Sequence, residues 1–531
     1  MSVNHRYLHG GAGPMLLAVA LVAVFYGTAL GYELVWDDLN WLNDFRRLDL
    51  LALLHDNLTS NTLVSFYRPL VAASFSLQLA LSQSPLYLHG FNLVLHGVNL
   101  CLLVLLARGT HPPRNRTLAF AVTVLAIHPM LVEPVVWVSG RFDLFFTSFV
   151  LLCLLAALRV QTGVVRFVAV AAAFLAALLC KESALAYLAI GPWWVATMHM
   201  APGTTTPRAR WLAAAWHGGA LLAALGAYLS LRLLWLDLPL VKDTAFRTHD
   251  DYFAGEHGLL VLRTLGTYVQ MTLLPLWNLA PLHGQAGTPT AYAYISAGAL
   301  VVLAALAGLR WRCCLPFSAW LLALLPAANL VPLHIDLVQN RYLYFPLFAL
   351  VLTVLKVLGR NSIAVPARRL LLALLGIWLC ALAVTNLSTA RLWRDGVSLF
   401  SWVVSVRPHS RIALENLALA HQAAGQFDAA IEVETRIPEQ QRSFQGWLLL
   451  ARASRDADRL PAAVEYYRQA LTVPAYDVAM HLSAMFELAL VYRQRGDAQA
   501  SEQLAAEAET LASQQPVSKR LLDYYRGRLR P

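Results

Sequence analysis

MLLAVALVAVFYGTALGYEL, residues 15–34, runs straight into Val35-Trp36-Asp37-Asp38. About twenty apolar residues cross a bilayer as a helix, so two adjacent carboxylates stand where the first span surfaces. Ionisable groups at that depth are expensive and mark function. The juxtaposition recurs down the chain: Tyr67-Arg68-Pro69, His128-Pro129 with Glu133 and Arg141, Lys181-Glu182, and Asn340-Arg341-Tyr342 each lie at the boundary of an apolar run.

Composition agrees with a membrane protein. Of 531 residues, 58% are hydrophobic and 14% charged, against about 25% charged in soluble domains. The net charge of +10 does not point to nucleic acid, because the basic residues are spread over short loops between apolar runs in the positive-inside pattern. The six cysteines fall in or beside apolar segments without metal or disulfide spacing and read as packing residues. No small-residue cleavage site follows the first apolar run, which reads as a retained span rather than a signal peptide.

Eleven spans are expected, at 15–34, 86–107, 117–135, 142–159, 165–181, 184–199, 211–234, 291–309, 315–333, 341–358 and 368–387. Runs 69–83 and 259–274 are shorter and flanked by Pro69, Pro275 and Pro281, and read as re-entrant or interfacial. With those two outside the count, the basic loop groups (Arg108, Arg114 and Arg116; Arg159 and Arg166; Arg208 and Arg210; Arg310 and Arg312; Lys356 to Arg369) all fall on the cytoplasmic side. The expected topology has the N-terminus inside and the C-terminus outside, and places every polar cluster on the outer face.

Residues 1–388 therefore read as an all-α polytopic membrane domain and 389–531 as an extracytoplasmic helical domain. Within the latter, Leu414, Leu417, Ala418, Gly425 and Ala430 are echoed by Trp447, Leu450, Ala451 and Ala463, and again by Leu488, Ala489, Gly496 and Ser501. The offsets of 33 and 38 residues, from Ala430 to Ala463 and from Ala463 to Ser501, bracket the tetratricopeptide period of about 34 and predict a short α-solenoid. Helices at 394–406 and 516–529 are expected to cap it.

Each cluster has a structural and a chemical reading. Asp37-Asp38 is either a solvated acidic turn or a general base for an acceptor hydroxyl; adjacent carboxylates repel, which raises one pKa or recruits a divalent cation. Tyr67 and Arg68 are an interfacial anchor or an anion grip. His89, Asn92, His96 and Asn99 share one helix face, as interhelical glue or as a site lining. His128, Glu133, Arg141 and Asp143 crowd one tight turn, with Arg141 suited to a lipid-borne phosphate. Lys181-Glu182 is an ion pair or a point charge for phosphate with Glu182 orienting it. His334 and Asp336 offer two metal ligands, too few for a site; Arg341, beside Asn340 and Tyr342, is a second phosphate candidate. No Gly-rich phosphate loop, HExxH or nucleophile elbow is present.

Taken in order, the acidic pair, YRP, HPxxxE with GRxD, KE, RYLY and the trailing repeats resemble the transmembrane and tetratricopeptide-repeat-containing O-mannosyltransferases, which are GT-C glycosyltransferases. The resemblance implies a membrane enzyme that moves a sugar from a polyprenyl-phosphate donor to a protein hydroxyl outside the cytoplasm. It implies Asp37 or Asp38 as base and Arg141, Lys181 and Arg341 as donor-phosphate contacts. Tyr67, Arg68, His128, Glu133, Asp143, Glu182, His334 and Tyr342 are expected to support them. Family members commonly carry Glu where this chain has Asn340. The Ala/Leu/Arg-rich composition suggests a bacterial relative in the inner membrane, with its repeats in the periplasm. The alternatives are the same chemistry on an envelope glycolipid or glycan, a transporter or flippase, and a membrane-anchored scaffold. A transporter predicts inverted repeats and midplane charges, whereas these charges gather at one surface.

Overall fold

The computed structural model describes residues 12–38, 67–108, 113–160, 163–197, 206–236, 257–277, 279–281, 291–328, 330, 338–358, 368–475, 478–514 and 519–529. His334 and Asp336 lie outside the described residues. All regular elements among the described residues are helical, and the chain divides into two compact units at Arg394 and Asp395.

The first unit contains α1 (Ala12–Tyr26), α2 (Pro69–Leu81), α3 (Pro85–Ala107), α4 (Asn115–Ile127), α5 (Val132–Val136), α6 (Arg141–Arg159), α7 (Gly163–Leu178), α8 (Tyr187–Thr197), α9 (Pro207–Leu229), α10 (His257–Leu273), α11 (Ala291–Leu324), α12 (Tyr344–Leu358) and α13 (Arg368–Leu392). Proline opens α2, α3 and α9, where its missing N–H is an orphan in any case.

Among the described residues, six helices are long and apolar enough to cross a membrane: Ala12–Gly31, Pro85–Ala107, Val138–Arg159, Pro207–Trp235, Asn340–Val357 and Leu372–Leu392. A seventh is reached if α4 and the Pro129–Val136 segment, bent by 56°, count as one broken span. The other runs expected to span form shorter helices. The 16 residues of α7 rise about 24 Å and the 11 of α8 about 17 Å, short of the roughly 30 Å hydrocarbon core. α8 also contains Pro192, which breaks its ladder. Run 291–309 and residues 315–324 of the next run fall in α11, yet Cys314 Sγ lies 3.3 Å from Leu303 O. Eleven residues of straight helix separate their ends by about 16 Å, so Tyr294–Leu303 and Cys314–Ala327 are not collinear.

The polar stripe on α3 is interhelical glue for three of its four members. Asn92 Nδ2 donates to Trp137 O and Val138 O at 2.9 and 3.2 Å. His96 Nδ1 lies 2.8 Å from the Tyr344 hydroxyl of α12. Asn99 Nδ2 donates to Leu144 O at 3.0 Å, and its Oδ1 accepts from Ser148 Oγ at 2.7 Å. These bonds fix the top of α6 against α3, which is where the ionisable residues gather. α13 joins α1 through Asn386 Nδ2 and the Tyr26 hydroxyl, 2.9 Å apart.

The second unit is a run of helices, each packed on the next from α14 (Gly396–Val406) through α15 (Arg411–Ala423), α16 (Phe427–Thr435), α17 (Phe444–Asp456), α18 (Leu460–Thr472), α19 (Val478–Gln494) and α20 (Ala498–Ser513). A last helix, α21 (Lys519–Leu529), packs on α19. The turns inside the three pairs are equivalent. Gly425, Asp458 and Gly496 each take positive φ, at 72°, 58° and 83°, and recur at the offsets of 33 and 38 residues seen in the sequence. In each turn the next N–H reaches back to the helix: Gln426 to His421, Arg459 to Ser454, and Asp497 to Tyr492. Asp395, Ser410, Ser443 and Asp497 cap helix N-termini.

One residue departs from this pattern. Glu434 stands 33 residues before Tyr467 and, like it, is fully buried. Neither of its carboxylate oxygens has a hydrogen-bond partner among the described residues, and Arg442 Nε is 3.8 Å away. Burial, helped by Glu415, pushes its carboxyl up to about 8, against the opposing pull of Arg442 and Arg411. The folded pKa lies above the ordinary 4.5, so below about 4.5 the group is neutral in both states and has no effect. As the pH rises from there toward 8, each further pH step of one costs about 1.4 kcal/mol of stability at most. Glu434→Gln is expected to stabilise this repeat by about 1–3 kcal/mol at pH 8 and by less at pH 6. Temperature-dependent proteolysis within residues 411–456 of the full-length protein, read by mass spectrometry, checks this; an equal gain at both pH values contradicts it.

Candidate functional site

Trp36 holds φ at 58°, a left-handed backbone that costs a bulky residue about 1–3 kcal/mol. Its indole stacks on Trp137, with centroids 4.9 Å apart and planes at 20°. Trp137 Nε1 donates to Val35 O at 3.3 Å, so the loop after α1 is clamped to the turn before α6. The next two residues then diverge. Asp38 is buried: Oδ1 accepts from Ser139 N at 2.8 Å and Ser139 Oγ at 2.5 Å, and Oδ2 accepts from Val35 N at 3.2 Å. Asp37 stays half-exposed. Burial pushes the Asp38 carboxyl up to about 7, although the bonds from Ser139 and Val35 favour its charged form. The two carboxylates therefore differ in burial: Asp38 is enclosed and Asp37 is half-exposed.

The segment from Glu133 to Asp143 reaches every other cluster. Glu133 Oε1 accepts from Arg341 Nη1 at 2.8 Å. Arg341 lies over the rings of Trp137 (5.0 Å), Tyr342 (5.6 Å) and Trp36 (5.8 Å) and keeps 17% of its side chain exposed. Lys181 Nζ donates to both oxygens of Asp143, at 2.6 and 2.7 Å, and sits 5.0 Å from the Tyr342 centroid. The turn permits this crowding because position 140 is glycine: a Cβ there would overlap the Pro134 backbone, 2.6 Å from its Cα.

The ion pairs differ from sequence adjacency. Lys181 pairs with Asp143 and not with Glu182. Glu182 Oε2 accepts from Arg68 Nε and Nη2 at 3.0 and 2.8 Å, and its Oε1 is 3.6 Å from Arg232 Nη1. Lys181 is extended (φ −164°, ψ 137°) before the helical turn that starts at Glu182, which sends the two side chains to opposite sides. Arg232, buried in the π-helical turn Ser230–Trp235 after α9, was not among the expected site residues. Its signal was Tyr228 one turn before it; the two bond at 2.9 Å.

Arg141 points inward. It is fully buried, donates to Asn92 Oδ1 (3.1 Å) and Leu88 O (3.1 Å), and lies over Phe75 (4.0 Å) and Phe91 (4.6 Å). Its donors thus face the core of the bundle. His128 caps the turn after α4, accepting from Met130 N at 3.3 Å, with Nε2 3.2 Å from Thr272 O. Tyr67 is buried beside Arg68, and Asn340 Nδ2 donates to Leu279 O at 2.6 Å. Among the described residues no three His, Cys, Asp or Glu side chains gather to hold a metal, and both Asp38 oxygens already accept from protein.

No family profile and no solved structure matches the chain. Curated relatives do. The human protein O-mannosyl-transferase TMTC1 is 32% identical over 167 residues, 27% of this chain and 17% of that protein. The mouse protein of the same name is 32% identical over 167 residues. The Drosophila melanogaster protein O-mannosyl-transferase Tmtc1 is 34% identical over 201 residues, 35% of this chain and 23% of that protein. The chain spans less than a quarter of the length of these relatives. It is a multi-pass helical membrane protein that resembles protein O-mannosyl-transferases over about a third of its length.

Proposed function

We propose that the chain is a GT-C-type glycosyltransferase that moves a sugar from a polyprenyl-phosphate donor to a protein hydroxyl on the outer face of a bacterial inner membrane. The observation that carries this reading is the meeting of Arg341 and Lys181 over one ring, Tyr342, beside the stacked Trp36–Trp137 pair that carries Asp37. Two cations so placed suit the charge that grows on a departing phosphate. The acceptor oxygen attacks the anomeric carbon, Asp37 takes its proton, and the carbon–oxygen bond to phosphate breaks. Polyprenyl phosphate leaves with the bonding electron pair. Asp38, tied to Ser139, positions Asp37. Arg141 supports the turn from beneath, and Arg68, Glu182 and Arg232 brace the segment carrying Lys181.

The eleven-span topology, in which α7 and α8 span together with the residues that flank them, and the reading of residues 409–513 as tetratricopeptide repeats belong to the same proposal. Repeat arrays bind peptides on their concave faces, which favours a protein acceptor over a lipid. Only Trp393 to Asp395 separate α13 from α14, so the repeats are tethered to the membrane domain. The test is reconstitution in lipid with labelled polyprenyl-phosphate mannose and an unfolded protein acceptor. Label in the protein is expected, with polyprenyl phosphate released in equal amount. Label in lipid or glycan alone overturns the acceptor, and an unchanged donor overturns the enzyme.

A further inference from the structure

Glu133 has chemistry to spare. One carboxylate oxygen receives Arg341 Nη1 at 2.8 Å, while the other, Oε2, is buried and has no hydrogen-bond partner among the described residues. The Glu133 side chain is 1% exposed. A buried carboxylate oxygen left without a donor is costly, and such a group in a native structure calls for an explanation. Its backbone is not free to seek another partner. His128 caps the turn ahead of α5, and the Pro134 backbone packs against Gly140 with no room for a Cβ. Oε2 therefore stays on the carboxylate that holds Arg341, whose guanidinium shares the Tyr342 ring with Lys181.

We infer that Glu133 is a sugar-reading residue, whose Oε2 accepts a hydrogen bond from one hydroxyl of the donor glycosyl group while its Oε1 holds Arg341 for the phosphate. This rests on the donor assigned above. In a glycosyl phosphate the group next to the phosphate is the sugar ring, and its hydroxyls are the donors that Oε2 lacks. One carboxylate then measures the distance between phosphate and hydroxyl, so a sugar of different configuration loses the bond without disturbing the phosphate grip.

The test uses the full-length protein in lipid, with short-chain polyprenyl-phosphate mannose, its four monodeoxy analogues, and bare polyprenyl phosphate. Wild type is expected to bind one monodeoxy donor about 10- to 100-fold more weakly than the parent, the range of a hydrogen bond to a charged group. Glu133→Gln keeps an oxygen for Arg341 but replaces the other with an amide. It is expected to weaken the parent donor similarly, to leave bare polyprenyl phosphate within about 3-fold, and to add no loss with that one analogue. If no monodeoxy donor is weakened in wild type, the inference fails whether or not the variant folds. Equal weakening of mannosyl donor and bare polyprenyl phosphate in Glu133→Gln reduces Glu133 to a support for Arg341 and also overturns it. If wild type binds no polyprenyl phosphate, with or without sugar, the donor assignment itself falls.

Discussion

Asp37→Asn in the reconstituted protein is expected to cut transfer by about 10²–10⁴-fold, the usual loss on removing a general base, with the yield and melting behaviour of the protein unchanged. The geometry separates the pair. Asp37 is half-exposed and open to an acceptor, whereas Asp38 is buried and bonded to Ser139 and Val35. Asp38→Asn keeps the acceptor for Ser139 but puts an amide against the Val35 N–H, so it is expected to lower both activity and thermal stability. Ser139→Ala, which removes one of the three bonds, is expected to behave as a milder Asp38→Asn. Rates at matched protein level, alongside melting curves in detergent, check all three. Full activity in Asp37→Asn removes the base assignment; stability loss in Asp37→Asn equal to that in Asp38→Asn removes the division of roles.

Lys181→Met is expected to destabilise the membrane unit by about 3–5 kcal/mol, because it leaves the buried Asp143 carboxylate without its cation. Both Asp143 oxygens bond to Lys181 Nζ, and Asp143 is 2% exposed. A second change, Asp143→Asn, is expected to restore most of that stability while transfer stays lost. Stability would then follow the pair and activity the cation alone. Melting temperature and rate measured on the single and double variants decide it. A double variant as unstable as Lys181→Met shows that the pair is not the source of the loss, and a double variant with normal transfer removes Lys181 from the donor site.

The places where ionisable residues interrupt apolar runs were legible in the sequence, because they stand out against those runs. Their partners were not. Lys181 and Glu182 are neighbours in the chain but bond to Asp143 and to Arg68, since an extended residue followed by a helical turn sends successive side chains apart. Ser139 and Trp137 carry no charge, so nothing marked them as the clamps of Asp38 and Val35. Arg232 sits inside an apolar run and was hidden by it. Span counting also had a limit. Hydropathy detects the apolar stretches at 165–181 and 184–199, but the helices they form, α7 and α8, are too short to cross alone. In the second unit the offsets of 33 and 38 residues placed the turns, because a left-handed residue is needed at each. They did not reveal that Glu434 lies inside, where its counterpart is Tyr467.

Arg141 carries a consequence for how this protein is made. Among the described residues no carboxylate lies within ion-pairing distance of it; Asn92, Leu88 O and two phenylalanine rings hold the charge instead. Arg141 opens α6 at the end of its span, where an arginine costs less than the about 2.5–3.5 kcal/mol of a helix centre on insertion scales, but its side chain is turned inward and α6 also brings Asp143. The newly synthesised α6 therefore leaves the insertion machinery most favourably when α3 is still at hand to offer Asn92 and the Leu88 carbonyl. Insertion of α3 and α6 is then expected to be coupled at this point, the two entering lipid as a pair. Asn92→Leu is the change that makes α3 greasier and better at inserting alone, yet strands α6.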